Sequence, residues 1–480
     1  MIRLLPDYRI RIEQEGDVRM RLDNTDNAWL TYSKNDRREL LELTDAYMDF
    51  LSKCKTEREC ASEMVSMARK AGYKDLYDIV EKGKHLKHGD KVYACFMDKT
   101  VALFNLGNEP FENGLNILGA HIDSPRLDIK QNPLYEDGGM AYLNTHYYGG
   151  IKKYQYVTIP LAIHGVVVKT DGTIVDVVIG EDEKDPVFTI TDILIHLASE
   201  QMEKKTSKAV EGENLDILVG SIPVKGKDKN PVKENIIKLL KERYGIDEQD
   251  FVSAELEVVP AGRARSLGLD ESMVLSYGQD DRVCAYTSLA AFLSVSELER
   301  TGVCLLVDKE EIGSVGATGM RSKFFENALA EVMNAAGVYS ELALRRTLAN
   351  SKMLSSDVSA SFDPLYPNVF DKQNSAYFGH GVVFNKYTGS RGKSGSNDAN
   401  AEYMAQIRAI LDAANVRYQT CELGKVDAGG GGTIAYIMSL YGMDVIDCGV
   451  AVLSIHSPYE VASKSDIYEA TKAYKAFLMA

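Results

Sequence analysis

Carboxylate and imidazole side chains recur where short apolar runs of the sequence end. Five such runs end at or just before these groups: His121 with Asp123, Asp280 with Asp281, Glu310 with Glu311, Asp357, and His456. Imidazole nitrogens and carboxylate oxygens are the mixed donors that zinc, cobalt or manganese accept. A single residue of this kind after a strand is usually structural, but the coincidence of all five indicates a metal site.

The pair His121 and Asp123 follows a predicted strand at 115–120. Side chains at positions i and i+2 of an extended chain project to the same side, so the Asp123 carboxylate can orient the His121 imidazole as a metal ligand. The alternative is a polar pair that is satisfied at a strand end.

Two pairs of adjacent carboxylates suggest different tasks. Glu310 and Glu311 follow a predicted buried strand, where neighbouring carboxylates repel each other without a cation. A hydrolase with two metals needs one glutamate to hold a metal and a free one to take the proton from activated water. Asp280 and Asp281 open a predicted helix, where Asp280 could bridge two cations while Asp281 caps or supports. Surface charge is the alternative for the glutamates, and helix capping is the alternative for the aspartates.

The elements around these residues predict an α/β fold. Open α/β sheets bind ligands at the carboxyl edge of their strands, so the five strand ends are expected to meet there. After residue 272, predicted helices alternate with predicted strands. The helices are at 281–298 and 398–413, and the strands are at 303–307, near Met353, at 445–446 and at 450–455.

The first part of the chain and its middle differ in character. Residues 36–72 predict two helices, with a capping box at Thr56 and Glu59, and residues 91–106 predict a hairpin. Residues 131–272 contain short β-rich runs and one amphipathic helix at 232–244. We therefore predict a catalytic domain formed by 1–130 and 273–480, with a mixed sheet flanked by helices, and an inserted β-rich domain at 131–272.

Composition excludes several classes of protein. The chain has 480 residues, of which 45% are hydrophobic and 26% charged, as in globular proteins. Its net charge of −15 disfavours a nucleic-acid partner, which needs a basic surface. The longest uncharged stretch, 428–443, is too short to span a membrane, so no membrane partner is expected.

The cellular compartment is predicted to be reducing. The amino terminus has charged residues between Arg3 and Glu13 and lacks the apolar centre of a secretory signal. The seven cysteines include no CxxC pair, which argues against both a disulfide framework and a cysteine zinc site. We predict a cytoplasmic protein.

Several segments resemble one family of dinuclear metallo-exopeptidases, that of aspartyl aminopeptidase and vacuolar aminopeptidase I. The order and spacing of the motifs match along nearly the whole chain. The matching segments are Gly119-Ala120-His121-Ile122-Asp123-Ser124-Pro125, Asp280-Asp281-Arg282, Glu310-Glu311-Ile312-Gly313-Ser314, Ser356-Asp357, and Leu453-Ser454-Ile455-His456-Ser457.

The resemblance implies a role for each site residue. Asp280 would bridge two divalent metal ions, zinc first, with cobalt or manganese as alternatives, and no organic cofactor is expected. His121 and Asp357 would complete one metal site, and Glu311 and His456 would complete the other. Glu310 would be the general base, and Asp123 would orient His121. The family's fold is an α/β domain interrupted by a β-rich domain, and its members form large closed homo-oligomers, typically dodecamers. The resemblance therefore implies that the inserted domain at 131–272 is a dimerisation domain.

The chain departs from the family pattern where substrate specificity is expected. The family's tryptophan-containing segment is replaced at 149–154, the histidine after the metal aspartate is absent from 357–361, and 426–433 has its own glycine-rich sequence. Whether this chain shares the family's preference for acidic N-terminal residues in its substrates is therefore left open. Lys386 could meet an acidic substrate side chain or be a solvated surface lysine. His196 matches a family histidine and could act across a subunit interface or pack within the subunit.

These observations predict an aminopeptidase that removes the N-terminal residue of peptides with a free amino terminus, by metal-activated water and a glutamate base. Two alternatives remain at this point. The same site could belong to a carboxypeptidase or deacylase, which would need a positive group for its substrate. It could also be vestigial in a self-assembling protein without activity.

Overall fold

The computed structural model describes residues 27–480. The prediction that no secretory signal is present rests on residues 3–13, which lie outside the described part. Among residues 27–480, no helix is both long enough and apolar enough to cross a membrane.

Helices and strands alternate along most of the described chain. The helices are α1 (Lys34–Lys53), α2 (Glu57–Lys70), α3 (Leu76–Glu81), α4 (Ser199–Met202), α5 (Thr206–Ala209), α6 (Pro231–Tyr244), α7 (Gln279–Leu293), α8 (Phe324–Ala335), α9 (Glu341–Ala349), α10 (Ala401–Ala413), α11 (Ala435–Ser439) and α12 (Lys464–Leu478).

The strands form three sheets. They are β1 (Lys74–Asp75), β2 (Lys91–Phe96), β3 (Thr100–Asn105), β4 (Asn116–His121), β5 (Arg126–Asp137), β6 (Met140–Tyr148), β7 (Leu161–Val168), β8 (Ile174–Ile179), β9 (Ile217–Gly220), β10 (Ala254–Pro260), β11 (Arg265–Leu267), β12 (Met273–Ser276), β13 (Gly302–Val307), β14 (Lys352–Ser356), β15 (Ser359–Ala360), β16 (Val382–Asn385), β17 (Tyr418–Thr420), β18 (Asp444–Gly449), β19 (Ala451–Leu453) and β20 (Glu460–Ser463).

A nine-stranded mixed sheet with the order β1-β2-β3-β13-β4-β14-β18-β16-β17 is the centre of the fold. Its middle strands β13, β4, β14 and β18 run parallel. All residues of β4 and β13 are buried, which agrees with their nearly continuous apolar sequences. Helices α7 and α12 pack on one face, and helices α8, α9 and α11 pack on the other. The predicted α/β fold with a mixed sheet flanked by helices is confirmed.

A six-stranded antiparallel sheet with the order β8-β7-β10-β5-β6-β9 occupies the middle of the sequence and has its own apolar core. It runs from Arg126 to Pro260, whereas β12 pairs with β20 in a third sheet of five strands. The division into a catalytic and an inserted dimerisation domain at 131–272 stays a prediction.

Local sequence signals agree with most of the predicted elements. Both α1 and α2 begin with a capping box, the second formed by Thr56 and Glu59. The hairpin of β2 and β3 spans the predicted residues, and α6 ends at Gly245, which has a left-handed φ of 66°.

Some predicted bounds were wrong by a few residues, each for a local reason. The predicted helix 281–298 ends at Leu293, because the Ser294 hydroxyl donates to the Ala291 carbonyl 2.7 Å away at that end. The predicted helix 398–413 begins later, because the side chain of Asn400 accepts the Tyr403 amide and caps it. The predicted strand 450–455 stops at Leu453, because Ser454 adopts a φ of 61°.

Gly449 provides a test of how tightly β18 packs against the segment after β14. A Cβ atom on this buried residue would lie 1.9 Å from the Asp357 carbonyl oxygen and 3.0 Å from Cys284 Sγ. We expect Gly449→Ala to lower the free energy of unfolding by about 1–3 kcal/mol, because backbone must move to admit the methyl group. Chemical denaturation measures this difference.

Gly392→Ala is the matched control for Gly449→Ala. Gly392 is exposed, and among the described residues no heavy atom lies within 4 Å of the Cβ that it would carry. Equal unfolding free energies for the two variants would contradict the close approach at Gly449.

Candidate metal centre

The parallel strands bring the predicted site residues to one edge of the central sheet. β4 ends with His121, which is paired with Val307 at the end of β13. The loop after β13 contains Glu310 and Glu311 in a short 3-10 turn, and Asp357 directly follows β14. His456 reaches the same place from the turn after β19, where its own φ is 64°.

One half of the cluster is centred on His121. Its Nε2 atom lies 3.2 Å from Oδ1 of Asp280, 3.9 Å from Oδ1 of Asp357 and 4.0 Å from Oε2 of Glu310. His121 is 1% exposed. An imidazole that is almost fully buried and three carboxylates therefore converge at this point.

The other half is centred on His456. Its Nε2 atom lies 3.1 Å from Oδ2 of Asp280 and 3.3 Å from Oε1 of Glu311. Asp280 thus presents one carboxylate oxygen to each histidine, which is the arrangement expected of a carboxylate between two cations.

The donor atoms fit a divalent cation by distance and by hydrogen bonding. Within each of three sets, ligand atoms lie within 4.8 Å of one another: His121 with Glu310 and Asp357, His121 with Asp280 and Glu311, and Asp280 with Asp281 and Asp357. Oδ1 of Asp280, Oδ1 of Asp281 and Oε1 of Glu311 are buried and accept no hydrogen bond from the described residues. Buried carboxylate oxygens are costly without a partner, and a cation would supply one.

Electrostatics lead to the same conclusion. Burial, opposed by His121 and reinforced by Glu311, raises the pKa of Glu310 to about 8. Burial and the neighbouring Asp281 raise the pKa of Asp357 well above its usual range. Both shifts arise because ionised carboxylates are crowded in a site that is poor in water, and bound cations would relieve this repulsion.

The two aspartates lie at a kink at the start of α7. Asp280 and Asp281 both have non-helical backbone angles, so the regular turns of the helix begin after them. Oδ2 of Asp281 accepts the backbone N–H of His121, at 3.3 Å. Asp281 therefore supports the chain beside a predicted ligand, which is one of the two roles expected for it, and helix capping by this pair stays an alternative.

Asp123 lies where its spacing from His121 predicts. Its backbone oxygen is 3.0 Å and its Oδ1 atom 3.2 Å from Nδ1 of His121. The same carboxylate accepts the backbone N–H groups of Glu310, at 3.1 Å, and Glu311, at 3.2 Å. Asp123 therefore contacts the groups that follow both β4 and β13, and it can hold the His121 ring and the glutamate turn together.

Sequence reasoning missed Glu460, which is 1% exposed. One carboxylate oxygen accepts the backbone N–H of His456, at 2.7 Å, and the other accepts that of Asp280, at 3.0 Å. Burial and the charge of Asp280 raise its pKa to about 8. The only sequence signal for its role was its position four residues after His456. Its contact with Asp280 joins residues that are 180 positions apart in the chain.

A cleft of about 300 Å³ opens from the cluster. Besides predicted site residues it is lined by Asn385, Asp447 and glycines 430–432, so the glycine-rich segment that departs from the family pattern forms part of its wall. Asp447 is buried and was also missed. Lys386 does not line this cleft but pairs with Asp398 at 3.1 Å.

His196 lies away from the metal cluster, in the middle of the sequence. It is exposed and lines an open groove beside the six-stranded sheet, together with Tyr135 and Glu200. Its role across a subunit interface stays a prediction.

Comparisons with known proteins find a matching family model and several relatives. The family model described as "Aminopeptidase I zinc metalloprotease (M18)" matches residues 50–478. A relative from Clostridium acetobutylicum, "Probable M18 family aminopeptidase 1", is 62% identical over 453 residues, which is 94% of this chain and 97% of the relative.

Solved structures of M18 aminopeptidases share the fold. The crystal structure from Thermotoga maritima has a TM-score of 0.90 at 45% identity and covers 95% of this chain and 99% of that one. The aminopeptidase I of Clostridium acetobutylicum has a TM-score of 0.89 at 60% identity, with the same coverage. A more distant yeast structure, described as the S. cerevisiae mApe1 dodecamer, has a TM-score of 0.71 at 20% identity and covers 92% of this chain and 97% of that one.

The family model covers most of the chain, and the relatives span nearly its whole length. The chain belongs to the M18 family of aminopeptidase I zinc metalloproteases, and it is a hydrolase of the aminopeptidase class.

Proposed function

We propose that this protein is a dinuclear metal-dependent aminopeptidase that hydrolyses the N-terminal residue from peptides, with Glu310 as the general base. The observation that carries the proposal is the position of Asp280, whose two carboxylate oxygens lie 3.2 Å and 3.1 Å from the two histidines. A carboxylate shared in this way fits two cations better than one.

The ligand assignment is the one that the family resemblance implies, and the distances around the two histidines support it. Asp280, His121 and Asp357 would hold one ion. Asp280, Glu311 and His456 would hold the other. One donor set groups His121 and Asp280 with Glu311, across the two proposed sites, which is compatible with two closely spaced ions. Zinc is the first candidate for both ions, and cobalt or manganese suit the same donors.

Bound divalent ions would polarise the scissile carbonyl and make a water molecule more acidic. Glu310 lies at the edge of the cluster, 4.0 Å from Nε2 of His121, and lines the cleft. Its carboxylate takes a proton from the attacking water and then delivers it to the nitrogen of the leaving amine. The Asp123 carboxylate accepts a hydrogen bond from the backbone N–H of Glu310 and so keeps the Glu310 backbone in place.

The lining of the cleft favours an aminopeptidase over a carboxypeptidase. A carboxypeptidase needs a positive group for the substrate carboxylate, and no lysine or arginine lines the described cleft. The same lining gives no support to a preference for acidic N-terminal residues.

We also propose a homo-oligomer, as a dodecamer like that named for the yeast relative. The exposed apolar side chains beside the six-stranded sheet support this idea, because such patches mark interfaces. They are Ile193, Leu194, Ile195, Leu197 and Met202. A cytoplasmic location is retained as part of the proposal.

A peptide panel with parallel metal analysis tests the proposed function. We expect about two metal ions per chain and release of the first residue only from peptides with a free amino group. Cleavage of amino-blocked peptides at an equal rate would contradict the proposal.

Chelation tests whether metal ions hold the acidic cluster together. We expect removal of the ions to lower the thermal midpoint of unfolding. An ion whose free concentration is about 1,000 times its Kd stabilises the native state by about 4 kcal/mol. Calorimetry before chelation, after chelation and after zinc is restored measures the effect. An unchanged midpoint after proven metal loss would contradict it.

Replacement of the proposed base separates catalysis from metal binding. We expect Glu310→Gln to keep the metal content and to lower kcat by about 10²–10⁴-fold, because the amide cannot accept the proton from water. Glu297→Gln, at an exposed position that does not line the cleft, is the control. Glu310 is not the base if its glutamine variant turns over peptides at the rate of the control.

A further inference from the structure

The end of β6 reaches from the six-stranded sheet to the cluster of predicted metal ligands. We call residues 148–150 the β6 turn. They contact two separate parts of the cluster, one through a side chain and one through the backbone. The β6 turn is therefore placed to connect the sheet in the middle of the sequence with the carboxyl edge of the central sheet.

The first contact is made by Tyr148, which is 8% exposed. Its hydroxyl group donates a hydrogen bond of 2.8 Å to Oδ2 of Asp123. The Asp123 carboxylate in turn contacts Nδ1 of His121 and accepts the backbone N–H groups of Glu310 and Glu311. Tyr148 thus adds a third donor to the buried carboxylate that joins His121 to the glutamate turn.

The second contact is made by Gly150, whose carbonyl oxygen lies 2.8 Å from Nδ1 of His456. A carbonyl only accepts, so Nδ1 carries the proton and Nε2 is left free toward Asp280 and Glu311. The backbone of the β6 turn therefore selects the tautomer in which Nε2 of His456 can hold a metal.

The glycine between these contacts allows the turn to approach the cluster. Gly149 has a φ of +73°, and a Cβ on it would lie 3.3 Å from Cβ of Glu311 and 3.4 Å from its Oε2. A larger residue would be strained here and would also press on a predicted ligand.

The ring of Tyr148 is held independently of its hydroxyl group. The guanidinium carbon of Arg126 lies 3.9 Å from the ring centroid, and Arg126 pairs with Glu57 at 3.4 Å and with Glu257 at 3.0 Å. Burial and the Asp123 charge raise the pKa of Tyr148, so its hydroxyl stays protonated and donates. A phenylalanine would keep this packing and lose only the donor.

We propose that Tyr148 is a positioning residue of the metal centre, and that the β6 turn orients both histidine ligands, His121 through Asp123 and His456 through the Gly150 carbonyl. The inference rests on the proposed dinuclear function. It means that the sheet of residues 126–260 forms part of the support of the site.

The test compares Tyr148→Phe with Tyr147→Phe, the neighbouring residue of the same strand, which is 44% exposed and stacks on His146. We expect Tyr148→Phe to weaken zinc affinity and to lower kcat, each by about 10-fold, since lost support of a ligand has effects of this size. KM should change little. Competition with a chromophoric chelator measures affinity, and the visible spectrum of the cobalt-substituted protein reports ligand geometry.

A second pair of variants tests the turn without touching Tyr148. Gly149→Ala is compared with Gly139→Ala, at the other end of β6, where φ is +76° and no described heavy atom lies within 4 Å of an added Cβ. The two carry similar backbone strain and differ in their approach to Glu311. We expect only Gly149→Ala to weaken zinc binding and change the cobalt spectrum.

The outcomes separate this inference from the proposed function. If the wild type binds two metals and both test variants match their controls in affinity, spectrum and kcat, the inference is overturned and the proposed function stands. If the wild type binds no metal, both are overturned. If Tyr148→Phe does not fold, the Gly149 pair decides by the same measurements.

Discussion

Mutual repulsion among buried carboxylates is the constraint on which the site depends. Asp280, Glu310, Glu311 and Asp357 converge around two histidines at the edge of the central sheet, and burial raises the pKa of three of them. Without compensating positive charge such a cluster favours protonation or separation. The surrounding backbone therefore has to hold the groups together, and the carboxylates of Asp123 and Glu460 do so by accepting backbone N–H groups on either side.

The central sheet supplies the rigidity that this arrangement requires. Parallel strands β13, β4 and β14 are buried on both faces, so their carboxyl ends cannot drift without disrupting two layers of helices. Each strand fixes one part of the cluster, and the irregular turns after them aim the side chains. The scaffold is thus regular in the buried strands and irregular in the turns that carry the site residues.

The sequence predicted the α/β fold and the residues that converge, because each lies directly after an apolar run. It could not predict the partners that arrive from elsewhere in the chain. Glu460 accepts a hydrogen bond from the backbone of Asp280, and Tyr148, which lies in another sheet, donates one to Asp123. Neither contact produces a short-range pattern in the sequence. Element bounds were missed where one side chain decided them, as at Ser294 and Asn400. The family resemblance gave the role of each residue, which spacing alone left open.

The order of the cluster along the chain also bears on how the protein matures. Its members extend from His121 to His456, and α12, which packs on α7, follows the last of them. Contacts so distant in sequence form late in folding. The two-ion site is therefore complete only after His456 has been synthesised, about 100 residues after Asp357. Full occupancy by two ions should consequently follow the synthesis of the last quarter of the sequence.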